Sequence, residues 1–275
     1  MLRKQHVYAI ATVAWPVLVF GAAITAYSGQ AEPYVSASQM PGGPTGMFGG
    51  ALGVSAVGWA AIGTLRKRSW LSMGRRAGLA PEGGSVLPIG QPDMTGSVHG
   101  RTVRARTRSK TTGGGGESGS SKSTFTVVEA DLPGPSDRGL FVGRGDSAGG
   151  LGDDVGARHL PTVTIDDEFV VVGDSEELAR AVLTDRVRDA LRAMEDDDDG
   201  LLVGDAGGVV SDAVSGASDS RLVQAAANRA GEKFAGDAAT VSHETRGLLL
   251  DADELERRLE AVAAAADAFE DATAG

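Results

Sequence analysis

Three short stretches of this 275-residue chain hold residue types at spacings that could do chemistry. Gly116 to Ser123, GESGSSKS, approaches a phosphate loop, in which glycine, four residues and then Gly-Lys-Ser or Gly-Lys-Thr wrap backbone N–H groups around a phosphate. Here Ser121 stands where the second glycine is needed. The stretch also opens into TFTVV, a strand pattern, where the motif requires a helix N-terminus. A solvated hairpin tip explains it better. LFVGRGDSAGG offers Gly143, Gly145 and Ala148 after a short apolar run, with Asp166 further on, a dinucleotide-like spacing. The helix that would receive the pyrophosphate is missing from the sequence pattern that follows. EDDDDG, Glu195 to Gly200, places acidic residues and glycine as in the first half of a calcium loop. The bidentate glutamate that should close the loop is Ala206. An acidic helix-exit loop is the simpler reading, with loose cation binding left open.

Other groups are less organised. Asp166, Asp167 and Glu168 are the carboxylates that an unrecognised acid–base or cation-assisted enzyme would use. His6, His99, His159 and His243 share no ligand spacing and read as surface or turn residues. There is no cysteine, which excludes disulfides and cysteine-ligated metals. No strand–turn–helix nucleophile motif frames any serine. The sequence therefore predicts no catalytic residue, cofactor or metal ligand. In RTVRARTRSK, Arg104, Arg106, Arg108 and Lys110 fall on one face of a strand. Such a stripe could contact anionic lipid headgroups, at ~1 kcal/mol per charge in low salt. A symmetric hairpin instead sets Arg104 opposite Glu129 and partly neutralises the stripe within its own sheet. The second reading is preferred, because high salt would screen lipid attraction. Nucleic acid is not an expected partner, since the domain is acidic and lacks stacking aromatics.

The elements around these residues follow from charge and hydropathy. From Gln5 to Leu65 the only charged side chain is Glu32. Val7 to Tyr27 and Thr45 to Leu65 are two apolar runs, each reaching roughly 31 Å as a helix, enough for a ~30 Å hydrocarbon layer. Pro16 lies within the first and should kink it. In the second, Gly49 and Gly53, then Ala56 and Ala60, repeat at the small-residue spacing that lets helices approach, toward the first span or another copy. Residues 28–44 between the runs hold no lysine or arginine, whereas Arg3, Lys4, Arg66, Lys67, Arg68, Arg75 and Arg76 flank them. Basic flanks stay cytoplasmic. The expected order is a cytoplasmic N-terminus over 1–6, spans over 7–27 and 45–65, and an external loop over 28–44. A basic stop-transfer segment and Gly/Pro linker over 66–97 then lead to a cytoplasmic acidic domain over 98–275.

That domain should be α+β, with β-hairpins in a mixed or antiparallel sheet and about three helices. VHGRTVRARTRSK and STFTVVEADL alternate at period two and predict a hairpin. TVTIDDEFVVVGD reads as one strand leading into one helix, SEELARAVLTDRVRDALRAM. GLLVGDAGGVVSDAV reads as two short strands, and DSRLVQAAANRAGEKFAGDA as a second helix. TVSHETRGLLL is another strand. DADELERRLEAVAAAADAFEDA is a third helix, with a repeat too short for a coiled coil, so it should pack on the domain's own sheet. Asp174 with Glu177 and Asp251 with Glu254 have capping-box spacing.

Residues 111–275 carry 14 basic and 34 acidic side chains, and only five of the chain's 26 basic residues are lysine. A dense carboxylate shell costs little where salt screens it. The segments TFTVVEADL, DDEFVVVGDSEELARAVLTDRVRDAL and ETRGLLLDADELERR, beside the N-terminal apolar pair, resemble two-span integral membrane proteins of halophilic archaea. No activity is known for those proteins, so the resemblance implies a membrane location and a salt-loaded compartment, and no site residue. The expected role is a membrane-anchored interaction or scaffolding module, with the lipid bilayer and a protein partner or second copy as its contacts. An enzyme with an unrecognised site and a subunit of a transport or secretion assembly are the alternatives.

Overall fold

The computed structural model describes residues 4–27, 43–83, 90–112, 121–144, 162–173, 175–194, 200–205 and 239–274. The chain divides into two compact units, residues 1–72 with 84–91, and residues 73–83 with 92–275. Residues 28–42 of the loop expected over 28–44, the hairpin tip at 113–120, the EDDDD run at 195–199 and the segment 206–238 lie outside the described residues.

The first unit contains α1 (Lys4–Tyr27) and most of α2 (Gly43–Arg76). Helix α1 continues through Pro16. Proline has no N–H, so the carbonyl four residues earlier, Thr12, loses its usual donor. The Trp59 indole of α2 donates to that carbonyl at 3.3 Å. In return the Trp15 indole donates to the Val54 carbonyl at 3.4 Å. Glycine at 58 permits this approach, because a Cβ there would lie 1.9 Å from the Trp15 ring nitrogen. Toward the other end, Ala23 and Ala51 are buried together among Val19, Phe20 and Phe48. Residue numbers rise along α1 as they fall along α2, so the two helices pair antiparallel. Between Phe48 and Leu65 the buried positions of α2 are Ala51 and Ser55, with Gly58 half-buried. Gly49, Gly53, Ala56 and Ala60 are exposed and lie off this contact.

Helix α2 continues eleven residues beyond Leu65, which corrects the expected segment boundary. Its end is a Schellman turn within the second unit. Gly78 takes φ +76°, Leu79 N–H reaches the Gly74 carbonyl at 2.7 Å, and Gly78 N–H reaches Arg75 at 3.3 Å. Arg75 and Arg76 in the last turn suit the negative end of the helix dipole.

The second unit is built on a nine-stranded sheet ordered β1-β2-β3-β4-β9-β8-β5-β7-β6, antiparallel in every pairing. The strands are β1 (Ala80–Glu82), β2 (Asp93–Val98), β3 (Arg101–Thr112), β4 (Ser121–Asp131) and β5 (Gly139–Arg144). Then follow β6 (Thr162–Ile165), β7 (Phe169–Gly173), β8 (Gly200–Gly204) and β9 (Thr240–Arg246). Two strands therefore arise within 66–97, which was expected to be a linker. Pro81 is tolerated because β1 is an edge strand. β2 and β3 join through His99 and Gly100, both at positive φ, the geometry of a two-residue hairpin turn.

The expected β3–β4 hairpin forms with Arg104 opposite Glu129. The expected single strand over TVTIDDEFVVVGD is instead the β6–β7 hairpin. Asp166 and Asp167 take positive φ at its turn, where short polar side chains are tolerated. The expected single helix after it is two: α3 (Glu176–Val182) and α4 (Asp185–Ala193). Thr184 breaks the pair by capping α4 at the Val187 N–H, and Ser175 rather than Asp174 caps α3 at the Leu178 N–H. The last helix, α5 (Ala252–Thr273), is capped by Asp251 as expected, through the Asp253 and Glu254 N–H groups. It packs on the sheet and against α3 and α4. Residues Ala261 to Ala266 are all buried, because alanine lets neighbours approach from both sides.

Since the chain has no cysteine, an introduced pair reports on α1–α2 packing without background. Ala23→Cys with Ala51→Cys should be joined efficiently by a short thiol crosslinker in the full chain. Adding Gly58→Ala, which drives a Cβ into Trp15, should cut the yield several-fold, consistent with an overpacking cost of about 1–3 kcal/mol. An unchanged yield would contradict the Trp15–Gly58 contact.

Candidate functional site

Several of the polar groups that sequence singles out are engaged within the fold. Asp166 pairs with Arg188 at 3.2 Å, and Glu168 with Arg192 at 2.7 Å, which fastens the β6–β7 turn to α4. Arg192 also sits over the Phe169 ring, 5.5 Å from its centroid. The Arg192 hydrogen bond holds the Glu168 carboxyl below its ordinary range. Asp167 is exposed in the turn. Among the described residues, no group of three His, Asp or Glu side chains is placed to hold a metal ion.

The basic stripe on β3 is paired diagonally across the hairpin. Arg104 reaches Asp131 at 2.8 Å, and Arg106 bonds Glu129, whose side chain is almost wholly buried. Arg108 is exposed and makes no ion pair among the described residues. Lys110 is in β3, opposite Ser123.

Two clusters escape sequence reasoning. On the surface, His99, Arg101 and Arg186 converge on α5. His99 and Arg186 both contact Glu260 at 2.8 Å, Arg101 takes Asp267 at 2.7 Å and Glu270 at 2.6 Å, and Arg186 also reaches Asp267. Glu260, Asp267 and Glu270 form one polar stripe on an otherwise buried helix. Burial alone would raise the Glu260 carboxyl, but the hydrogen bonds from Arg186 and His99 outweigh it and hold it below the usual range.

Inside, Arg258 is fully buried. Its Nε and Nη2 donate to Glu254 Oε1, each at 2.8 Å, and its Nη1 lies 3.0 Å from His243 Nδ1. Nη1 also lies 3.2 Å from His243 Nε2, and since arginine has no acceptor, the ring nitrogen that bonds it accepts. His243 is fully buried on β9, opposite Val128 and Leu201, rather than at the surface or in a turn as expected. Arg257 holds the second carboxylate oxygen of Glu254 at 2.6 Å. The signal was present as an E-x-x-R-R spacing that places Arg258 beside the apolar stripe of α5. A buried cation is tolerated only when paired in this way.

Among the described residues, the first unit leaves an apolar surface exposed. Ile10, Val13, Val17, Leu18 and Ile24 of α1, and Leu52, Val54, Val57, Trp59 and Leu65 of α2, are each 50–71% exposed. Leaving each half in water forgoes on the order of 1 kcal/mol. Ten of them sum to a figure comparable with the whole stability of a domain, about 5–15 kcal/mol. Nearby, the Thr25 hydroxyl donates to the Gly21 carbonyl and the Thr64 hydroxyl to Ala60, while the buried Ser55 hydroxyl has no partner among the described residues. Over Phe48–Arg76, α2 is long and apolar enough to cross a membrane, while the shorter apolar stretch Ile10–Thr25 of α1 falls below that length.

No protein-family model, curated protein or solved structure matches the chain. The functional reading therefore stands on these surfaces alone.

Two outcomes follow for the paired charges. Glu254→Gln removes the carboxylate to which the buried Arg258 Nε and Nη2 donate and should lower the unfolding free energy by about 3–5 kcal/mol in urea titrations. Arg258→Met should cost less, since Arg257 still neutralises Glu254. Glu168 and Glu260 have folded pKa values below their unfolded ones. The stability they add is complete above the ordinary carboxylate value of 4.5 and is lost as pH falls through the folded values. Glu168→Gln with Glu260→Gln should flatten the acid limb of a stability–pH curve, and an unaltered limb would refute the assignment.

Proposed function

We propose that the chain is a membrane-anchored interaction module. In this reading α1 and α2 form a two-span hairpin, and both termini and the nine-stranded domain face the cytoplasm. The observation that carries it is the exposed apolar belt of the first unit, which needs a hydrocarbon solvent. The antiparallel α1–α2 contact supports two crossings over one, because α1 needs a neighbour to satisfy the carbonyl that Pro16 leaves free. The basic flanks Arg3, Lys4, Arg66, Lys67, Arg68, Arg75 and Arg76, against a loop with no lysine or arginine, support the sidedness. The excess of carboxylates and the cross-element arginine pairs support a salt-loaded compartment of the kind that the resemblance to halophilic archaeal membrane proteins implies. Interaction is favoured over catalysis because Asp166 and Glu168, two of the three carboxylates an enzyme reading would use, are bound to arginines of α4.

The topology is tested with single cysteines in the full chain. Ser38→Cys, in the loop between the helices, should react with a membrane-impermeant maleimide on intact cells. Asp271→Cys, exposed on α5, should react only after lysis. Labelling of position 271 on intact cells would overturn the sidedness. The interaction role is tested by purifying the full chain in mild detergent and high salt and identifying co-eluting proteins by mass spectrometry. A stoichiometric partner is expected, and recovery of the chain alone would count against it.

A further inference from the structure

We propose that Arg66 and Arg68 each bind the phosphate of an anionic phospholipid headgroup. The proposal rests on the membrane reading above and adds a ligand to it. Both residues follow Leu65, the last of the half-exposed apolar side chains, on an uninterrupted helix. Arg66 is half-buried and Arg68 exposed, and neither makes an ion pair among the described residues. Arg108 is likewise without an ion pair among the described residues, whereas most described arginines of the second unit have one. In the second unit nine of them, from Arg101 to Arg258, are held by carboxylates. Carboxylates are not scarce, with 37 against 26 basic residues. In this proposal the anion that these two guanidiniums meet is supplied from outside the chain.

Position selects the class of anion. A side chain within one turn of the apolar boundary sits at the depth of the headgroups. The guanidinium fork matches two oxygens of a phosphate, which a lysine ammonium does not. Two residues apart, at 3.6 residues per turn, the side chains leave the helix on opposite sides, about 200° apart. They gather two headgroups around α2 and do not form one pocket.

The test uses the full chain in a neutral detergent, with phosphatidylglycerol or phosphatidylcholine added and bound lipid counted by native mass spectrometry. Wild type should prefer phosphatidylglycerol, by about fivefold per arginine, the equivalent of ~1 kcal/mol. Arg66→Gln with Arg68→Gln should abolish the preference while leaving the Tm in lipid-free detergent unchanged. Arg108→Gln with Lys110→Gln removes the same charge elsewhere and should keep it. If the first pair retains the preference, or the second loses it equally, the assignment is wrong. Should the first pair not fold, the single variants Arg66→Gln and Arg68→Gln should each lose about half of the bound phosphatidylglycerol, and retention by both would overturn the assignment. Failure of the membrane reading is separate: alkaline carbonate would release the chain from sedimented membranes whatever their lipid class.

Discussion

Proline 16 takes one hydrogen-bond donor out of an apolar helix, and the pairing of α1 with α2 answers that loss. An unpaired carbonyl costs most where no water can reach it. The Trp59 indole fills the vacancy at Thr12, and the arrangement is reciprocal, with Trp15 donating to Val54. Each tryptophan also keeps much of its ring area for apolar surroundings. The contact dictates Gly58, because any side chain there would occupy the space of the Trp15 ring. It also sets which face of α2 meets α1, and hence which residues remain to face the bilayer in the proposed topology.

The second unit solves the same problem of unpaired polar groups with charges instead of indoles. Much of helix α5 is buried, and the polar residues on its buried or half-buried faces are matched individually. Arg258 faces the sheet and finds His243 and Glu254, while Glu260, Asp267 and Glu270 face outward to cations from the β2–β3 turn, β3 and α4. The exposed pairs are each worth little, roughly 0–1 kcal/mol, and salt weakens them further. Their value is geometric, since they fix elements distant in sequence at one place. The buried Arg258 cluster is different in kind, because removing one member strands another in low dielectric.

Much of this was legible in the sequence where a local rule and the tertiary environment agree. Period-two alternation located β3 and β4, and symmetric closure gave Arg104 opposite Glu129. Asp251 before an apolar stripe marked the start of α5. The failures share one cause, which is that a residue's usual meaning was overridden by its place. Prolines read as linker punctuation, yet Pro81 sits on an edge strand where its missing donor is harmless. Asp166 and Asp167 lack the glycine that announces a tight turn, and aspartate tolerates positive φ well enough to make one. Thr184 looked like a helix-interior residue and instead caps α4. The stop signal of α2 was at Gly78, but the end of hydropathy at Leu65 was read as the end of the helix. For the candidate site, the apolar runs and basic flanks were visible. The contact face was not: counting small residues pointed to Gly49, Gly53, Ala56 and Ala60, whereas the size of Trp15 selects Gly58.

The charge distribution carries a further constraint on function. An acidic domain tethered to an anionic surface is repelled by it, and the repulsion falls off within a Debye length, about 8–10 Å at ordinary ionic strength and nearer 3 Å at 1 M. At low salt the carboxylates of residues 111–275 would oppose close approach to headgroups, and the cations between residues 66 and 76 would be the groups holding the chain against them. At high salt both terms shrink, and direct guanidinium–phosphate contact outlasts diffuse attraction because it depends on hydrogen bonds as well as charge. On the proposed reading, an acidic surface tethered to a bilayer is thus better suited to concentrated salt, where it would remain hydrated without being driven from the headgroups.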